Sequence, residues 1–314
     1  MFAAALASTP GCSKPPGGDT AGREMDAQRK ETALDSDMKM QCIGRFQFEA
    51  PDALAVAGRT QSIYRTDVST ASMPPGEAQE AWKERLNAIR ALAATDPVRR
   101  TFELEPGVPA VWYGNNPRVP SSVVLEAVRS MDDHLLKAVR RAEAGKESLA
   151  EKLVRNILGS YRPHETGIGF CIGFGSLTIE PAERESVSIT LKHQTLAELE
   201  ASIETVTVDR PDTESSSLDE AKAFAKSYGA SMKVLRDRKR AAAGLTGHEL
   251  CISLAVPNQP ETMRFNWHYE GASGDAARPR IDIAGTARAT RRAELEKAWD
   301  KVLDSLRPVP LSRR

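Results

Sequence analysis

The sequence predicts an α+β protein of two domains, each a mostly antiparallel β-sheet with packed helices. Three observations predict this class. Short segments with strand-like alternation are punctuated by Gly and Pro. In each half the expected strands come with a few amphipathic helices to pack on them, an α+β pattern. The order of elements also repeats after the acidic stretch EPAERE at residues 180–185. The 314 residues suit two domains of ordinary size, expected here at 38–182 and 183–314.

In the first half, residues 39–49 mix Ile43, Phe46 and Phe48 with polar residues as a strand, ended by Pro51. Residues 61–68 read as a second strand. Residues 77–94 form the first helix, because Ala78, Trp82, Leu86, Ile89 and Leu92 recur at spacings of three and four. Residues 99–104 and 110–113 are short strands. VVLEAVRSM and HLLKAVRRA flank Asp132-Asp133 as a hairpin. A helix over 148–161 is expected from a capping box, Ser148 with Glu151, and an apolar face of Leu149, Leu153, Ile157 and Leu158. Residues 167–179 read as a Gly-rich buried strand.

In the second half, Val187, Ile189 and Leu191 alternate over residues 186–192, and residues 199–208 supply a partner strand. Ser217 and Glu220 cap a helix whose buried side carries Phe224, Ala225 and Tyr228. The basic run RDRKR within residues 233–242 reads as a solvated face. Residues 249–256 and 263–269 pair as strands, and 280–284 form another. The last helix, near 288–306, turns Leu295, Trp299, Val302, Leu303 and Leu306 to one side.

Composition removes some function classes. Lys+Arg and Asp+Glu are both 43, so nothing pulls the chain towards nucleic acid, and no nucleic-acid partner is expected. No apolar run of about 18 residues follows the first dozen, so no helix is expected to span a bilayer. Residues 1–11, MFAAALASTPG, are small and apolar and precede Cys12, with a Pro-, Gly- and charge-rich linker over 13–37. This resembles an atypical lipoprotein signal without a basic start, with Thr9 and Pro10 where Leu and a small residue usually stand. Export and lipidation of Cys12 are the expectations. Lipid on Cys12 leaves Cys42, Cys171 and Cys251. In an exported chain Cys42 and Cys171 are expected to pair, closing a loop worth about 4–5 kcal/mol in the chain-entropy model. The alternative is two free thiols in the core.

Catalytic motifs fail on spacing. Gly173-Phe174-Gly175-Ser176 ends in Leu177 where a nucleophile elbow requires Gly. His248-Glu249 begins a zinc-protease motif, but Ile252 stands where the second His belongs. His164-Glu165 has no second ligand pair near it in sequence. Cys171 has no adjacent base. No catalytic residue, metal ligand or cofactor is assigned. Phe265, Trp267 and Tyr269 alternate onto one strand face as core, with Arg264, Asn266 and His268 on the other.

Four segments in order carry a resemblance: QCIGRFQFEAP (41–51), GFCIGFGSL (169–177), AGLTGHEL (243–250) and MRFNWHYEGASGDAARPRIDI (263–283). Together they resemble the two-domain lipase-immunity proteins of bacterial type VI secretion systems over about residues 38–310. Gly173-Phe174 departs from the family's frequent Asp or Asn before the second Gly. The resemblance implies a periplasmic protein, often a lipoprotein, whose two domains are arranged as a two-lobed clamp and which binds a cognate phospholipase or lipase effector and blocks its active site. Lipid on Cys12 would then tether it to a membrane. Loops at 115–122, 209–216, 257–262 and 271–279 are the candidate contacts. An envelope chaperone or assembly factor is the alternative.

Overall fold

Twelve strands hydrogen-bond into one antiparallel sheet, and the sequence supplies them as two sets of six. The computed structural model describes residues 37–310, apart from 75, 93–96, 115–117, 166, 195, 197–198 and 212–216. Cys12 lies outside these residues, as do the side chains of Ser217 and Glu220 and so the cap expected from them.

The chain opens with a hairpin, β1 (Met38–Ile43) and β2 (Phe46–Pro51). The first set follows: β3 (Leu54–Ile63), β4 (Thr66–Ser72), α1 (Ala78–Arg90), β5 (Val98–Glu105), β6 (Val108–Gly114), β7 (Ser122–Ser130), β8 (His134–Glu143) and α2 (Glu147–Gly159). Three short strands come next, β9 (Tyr161–Pro163), β10 (Phe170–Ile172) and β11 (Gly175–Leu177). The second set repeats the first: β12 (Glu185–His193), β13 (Glu200–Val206), α3 (Ser217–Ser227), β14 (Ser231–Ala242), β15 (Leu245–Ala255), β16 (Thr262–Tyr269), β17 (Arg280–Arg288) and α4 (Arg292–Ser305). β18 (Arg307–Pro308) returns to pair with β2.

The sheet order is β14-β15-β16-β17-β13-β12-β3-β4-β8-β7-β6-β5. The two halves do not carry separate sheets. Their first strands, β3 and β12, pair antiparallel from Leu54↔His193 to Ile63↔Glu185 and join the sets into one. Residues 182–183 lie between β11 and β12, where that join begins. Antiparallel pairing of equivalent strands gives the halves a pseudo-two-fold relation. It also sends equivalent loops to opposite edges of the sheet.

Period-2 alternation sorts the faces. Ile189, Ile203, Ile283 and Trp267 are successive cross-strand neighbours and are all buried. Their face carries the main core, shared with Val154, Ile157 and Leu158 of α2 and Leu295, Trp299 and Leu303 of α4. Burying each such apolar side chain contributes roughly 1.5–3 kcal/mol. On the opposite face α1 packs Ile89 against Val111, Tyr113 and Val124. There α3 packs Ala225 against Leu250, Ile252 and Leu254. Between these helices the floor is short and polar, with Thr60, Ser62, Ser188, Thr190, Ser202 and Thr286.

Several sequence expectations shift locally. The strand expected at 61–68 is broken by a two-residue turn at Tyr64 and Arg65, with φ of +50° and +61°. Arg140 holds that turn by bonding the Tyr64 carbonyl and the Thr66 hydroxyl. The strands expected at 39–49 and 167–179 each fold into a hairpin. The Ser148–Glu151 capping box does not form. Lys146 is the N-cap residue, and the Gly145 N–H donates to the Glu147 carboxylate at 2.7 Å. Glu151 instead accepts from the Trp112 indole at 2.9 Å and from Arg100. Leu149 is exposed, because the buried face of α2 runs through Ala150, Val154, Ile157 and Leu158. Tyr228 is exposed too, its ring against Phe224 with centroids 4.5 Å apart.

Candidate binding surface

The motifs singled out in the sequence build the frame. Cys42 forms a disulfide with Cys171, with Cα atoms 5.8 Å apart. Gly44 turns the hairpin at φ +55°, and its carbonyl accepts from the Cys171 N–H at 2.7 Å. A Cβ there would meet the Val187 methyl at 3.0 Å. Arg45 makes a buried two-point ion pair with Glu185, at 2.8 and 2.6 Å. Cys42, Gly44 and Arg45 thereby tie the opening hairpin to β10 and β12. Gly247 is small because a Cβ would lie 2.6 Å from both the His268 carbonyl and the Trp267 ring.

Charge is also consumed internally. Along β14, Arg236, Arg238 and Arg240 alternate onto the face that meets α4, and Glu249 of β15 is fully buried among them. Glu249 accepts from Arg236 at 3.1 Å, Arg238 at 2.7 Å, Arg240 at 3.1 Å and the Trp299 indole at 2.9 Å. Asp300 of α4 takes Arg236 at 2.6 Å and also Arg240. Burial pushes the Glu249 carboxyl up, but these donors hold it below the usual carboxylate range. The RDRKR run is therefore not a plain solvated face: Arg236 and Arg240 keep only 18% and 11% of their surface. Under α1, buried Glu126 accepts two bonds from Arg85, each 2.7 Å. Burial, then the Glu126 charge, raises the Tyr113 hydroxyl above its usual range.

The groups nearest to chemistry are engaged structurally. Burial pushes the Cys251 thiol up to about 12. His248 bonds Asp237 at 2.7 Å and His268 bonds Asp282 at 2.5 Å. Ser176 of the failed elbow is buried.

Exposed candidates lie at the strand ends. Three of the four loops expected from the sequence leave the sheet at one edge: 115–122 between β6 and β7, 209–216 after β13, and 271–279 between β16 and β17. The Gly274 N–H donates to the Val208 carbonyl at 2.9 Å and Ser273 to the Asp209 carbonyl at 2.5 Å, so the last two support each other. Residues 257–262 leave at the opposite edge, where the pseudo-two-fold puts the counterpart of 115–122. Residues 115–117 and 212–216 of these loops fall outside the described residues.

Beside the first loop is a cleft of about 480 Å³ lined by Val119, Leu149, Arg65, Arg140, Arg141 and Lys146. Val119 and Leu149 are exposed apolar groups among cations. Sequence reasoning missed this cleft. Its one signal was Leu149, one residue out of phase with the buried stripe of α2. A second cleft of about 530 Å³ opens beside α3, floored by β13, β16 and β17. Arg264 stacks there on Phe224, 4.3 Å from the ring centroid.

Fold and surface define a scaffold of two pseudo-symmetric α+β halves, internally charge-satisfied, with loops gathered at the strand ends. Residues 163–310 match the Tle cognate immunity protein 4 C-terminal domain, which supports a place for the chain among the immunity proteins for type VI secretion lipase effectors. It is similar to the apo structure of the immunity protein TplEi of the type VI system from Pseudomonas aeruginosa. That likeness has a TM-score of 0.73 at 16% identity, over 89% of this chain and 100% of that one. A chain in the crystal structure of the Tle4–Tli4 complex gives a TM-score of 0.72 at 15% identity, over 88% and 98%. TplEi from Pseudomonas aeruginosa complexed with "L" peptide gives 0.68 at 14%, over 88% and 99%. Comparison with curated proteins by sequence gives no match.

Proposed function

We propose that this chain binds a cognate type VI secreted phospholipase or lipase effector in the periplasm and inhibits it by covering its active site. The observation that carries the proposal is the match of residues 163–310 to an immunity domain named for its Tle partner. The likeness to a chain of the Tle4–Tli4 complex over nearly its whole length supports it. The two halves act as the arms of a clamp, and the edge bearing 115–122, 209–216 and 271–279 meets the enzyme. The bonds from Ser273 and Gly274 to the carbonyls of Asp209 and Val208 suit tight inhibition, because contacts already made in the free chain need not be ordered on binding. The Cys42–Cys171 disulfide fits an oxidising compartment, and lipid on Cys12 is the proposed tether. The role requires no catalytic residue or cofactor of its own.

Co-purification tests this. Cells carrying this gene and that of a cognate type VI lipase effector should yield a stoichiometric complex on a tag placed on either chain. Elution of the two chains separately at micromolar concentration would reject the proposal.

A further inference from the structure

The turn between β7 and β8 brings Asp133 and His134 next to His164, which follows β9. Thirty residues separate the histidines in sequence, so no motif spacing announces the group. One ligand atom from each of the three lies within 4.8 Å of the others. The Asp133 carboxylate is 2.6 Å from His134 Nδ1 and 3.6 Å from His164 Nε2. His134 is buried, and its other nitrogen, Nε2, is 2.8 Å from the Tyr161 hydroxyl. His164 sits in a left-handed backbone conformation, φ +58°, with its N–H donating to the Phe174 carbonyl at 2.8 Å. Phe174 covers one side of the His134 ring, with centroids 5.4 Å apart.

We propose that Asp133, His134 and His164 form a binding site for one divalent transition-metal ion of the zinc type. Two imidazole nitrogens and one carboxylate oxygen are the donors that zinc takes, whereas calcium and magnesium select sites built of oxygen. Tetrahedral bonds of about 2.0–2.1 Å set ligand atoms roughly 3.3 Å apart. The Asp133–His164 spacing is already close to this. The Asp133–His134 hydrogen bond must open by about 0.7 Å to reach the same zinc geometry. Asp133 keeps 56% of its surface and is free to turn. With Nδ1 on the metal, His134 presents Nε2–H to the Tyr161 oxygen, the supporting bond that metal-bound imidazoles usually make. The fourth position opens to solvent beside His164, which keeps 66% of its surface. A bound ion would clamp the β7–β8 turn to the strand group that carries Cys171.

The experiment uses untagged full chain, stripped with EDTA and titrated with zinc chloride by calorimetry, with cobalt absorption as a second readout. Wild type should bind one ion per chain and show the intense visible bands of tetrahedral cobalt. His164→Ala and Asp133→Asn, both exposed positions, should each weaken binding at least about tenfold. His248→Ala, at a histidine outside the group, should bind as wild type. Zinc should raise the Tm of wild type and not of His164→Ala. No saturable uptake by wild type, or equal uptake by His164→Ala, would overturn the proposal.

Discussion

Glu249→Ala measures how far the β14 arginines belong to the interior. Glu249 is fully buried, and its partners Arg236 and Arg240 keep 18% and 11% of their surface. Breaking a buried ion pair by removing one partner costs about 3–5 kcal/mol. Asp300 remains to hold both arginines, which puts the loss at the low end, about 3 kcal/mol. Arg238 is half exposed and adds no more than about 1 kcal/mol. A loss of that size lowers Tm by roughly 6–12 °C at the usual sensitivity of domains of 150–250 residues. Urea unfolding and calorimetry on wild type, Glu249→Ala and the surface control Glu294→Ala give the comparison. If β14 were a solvated face, Glu249→Ala would cost under about 0.5 kcal/mol. A loss no larger than that of the control would refute the reasoning. The pH dependence has a definite sign. Burial raises the Glu249 and Asp300 carboxyls, but their arginine bonds hold both below the usual range. Their stabilisation is present above the unfolded carboxylate values and is lost as the pH falls through the folded ones. Glu249→Ala should therefore flatten the acid limb of stability against pH.

The other predictions are smaller. Val119→Asp and Leu149→Asp should leave Tm within about 2 °C, since both are exposed, yet weaken lipase inhibition at least about tenfold. Substitutions at 257–262, on the opposite edge, should leave inhibition unchanged in the same assay. Gly247→Ala should cost about 1–3 kcal/mol in urea unfolding, because its Cβ meets a carbonyl and an indole at 2.6 Å. Gly58→Ala, whose Cβ would meet only Thr190 at 4.0 Å, should change stability by less than about 0.5 kcal/mol. Cys42→Ala with Cys171→Ala should lower stability by about 2–4 kcal/mol, read from the shift in urea midpoint. The Asp282 hydrogen bond raises His268 above its ordinary value, so its stabilisation is complete below about pH 6.5 and lost as pH rises through the folded value. An NMR titration should find that value raised in wild type and lowered in Asp282→Asn.

The sequence exposed the parts of the fold that rest on periodicity. The repeat of elements, the α4 face of Leu295, Trp299 and Leu303, and the inward set Phe265 and Trp267 follow from local alternation, which burial enforces. Features set by distant partners stayed hidden. The turn at Tyr64 and Arg65 contains neither Gly nor Asn and depends on Arg140 reaching across from β8. The cap of α2 moved because Glu151 was claimed by Trp112 and Arg100. One continuous sheet in place of two depends on β3 meeting β12, and each strand's alternation alone fits either arrangement. On the candidate surface, the loops were legible as polar breaks. Their assignment to edges was not, because it follows from the pseudo-two-fold.

Titrating a cognate type VI lipase effector with the purified chain, while following ester hydrolysis, decides whether the chain is an inhibitor. Turnover should fall linearly and end at one equivalent, with Glu294→Ala acting as wild type and Val119→Asp requiring excess. Full turnover at several equivalents of folded protein would contradict inhibition.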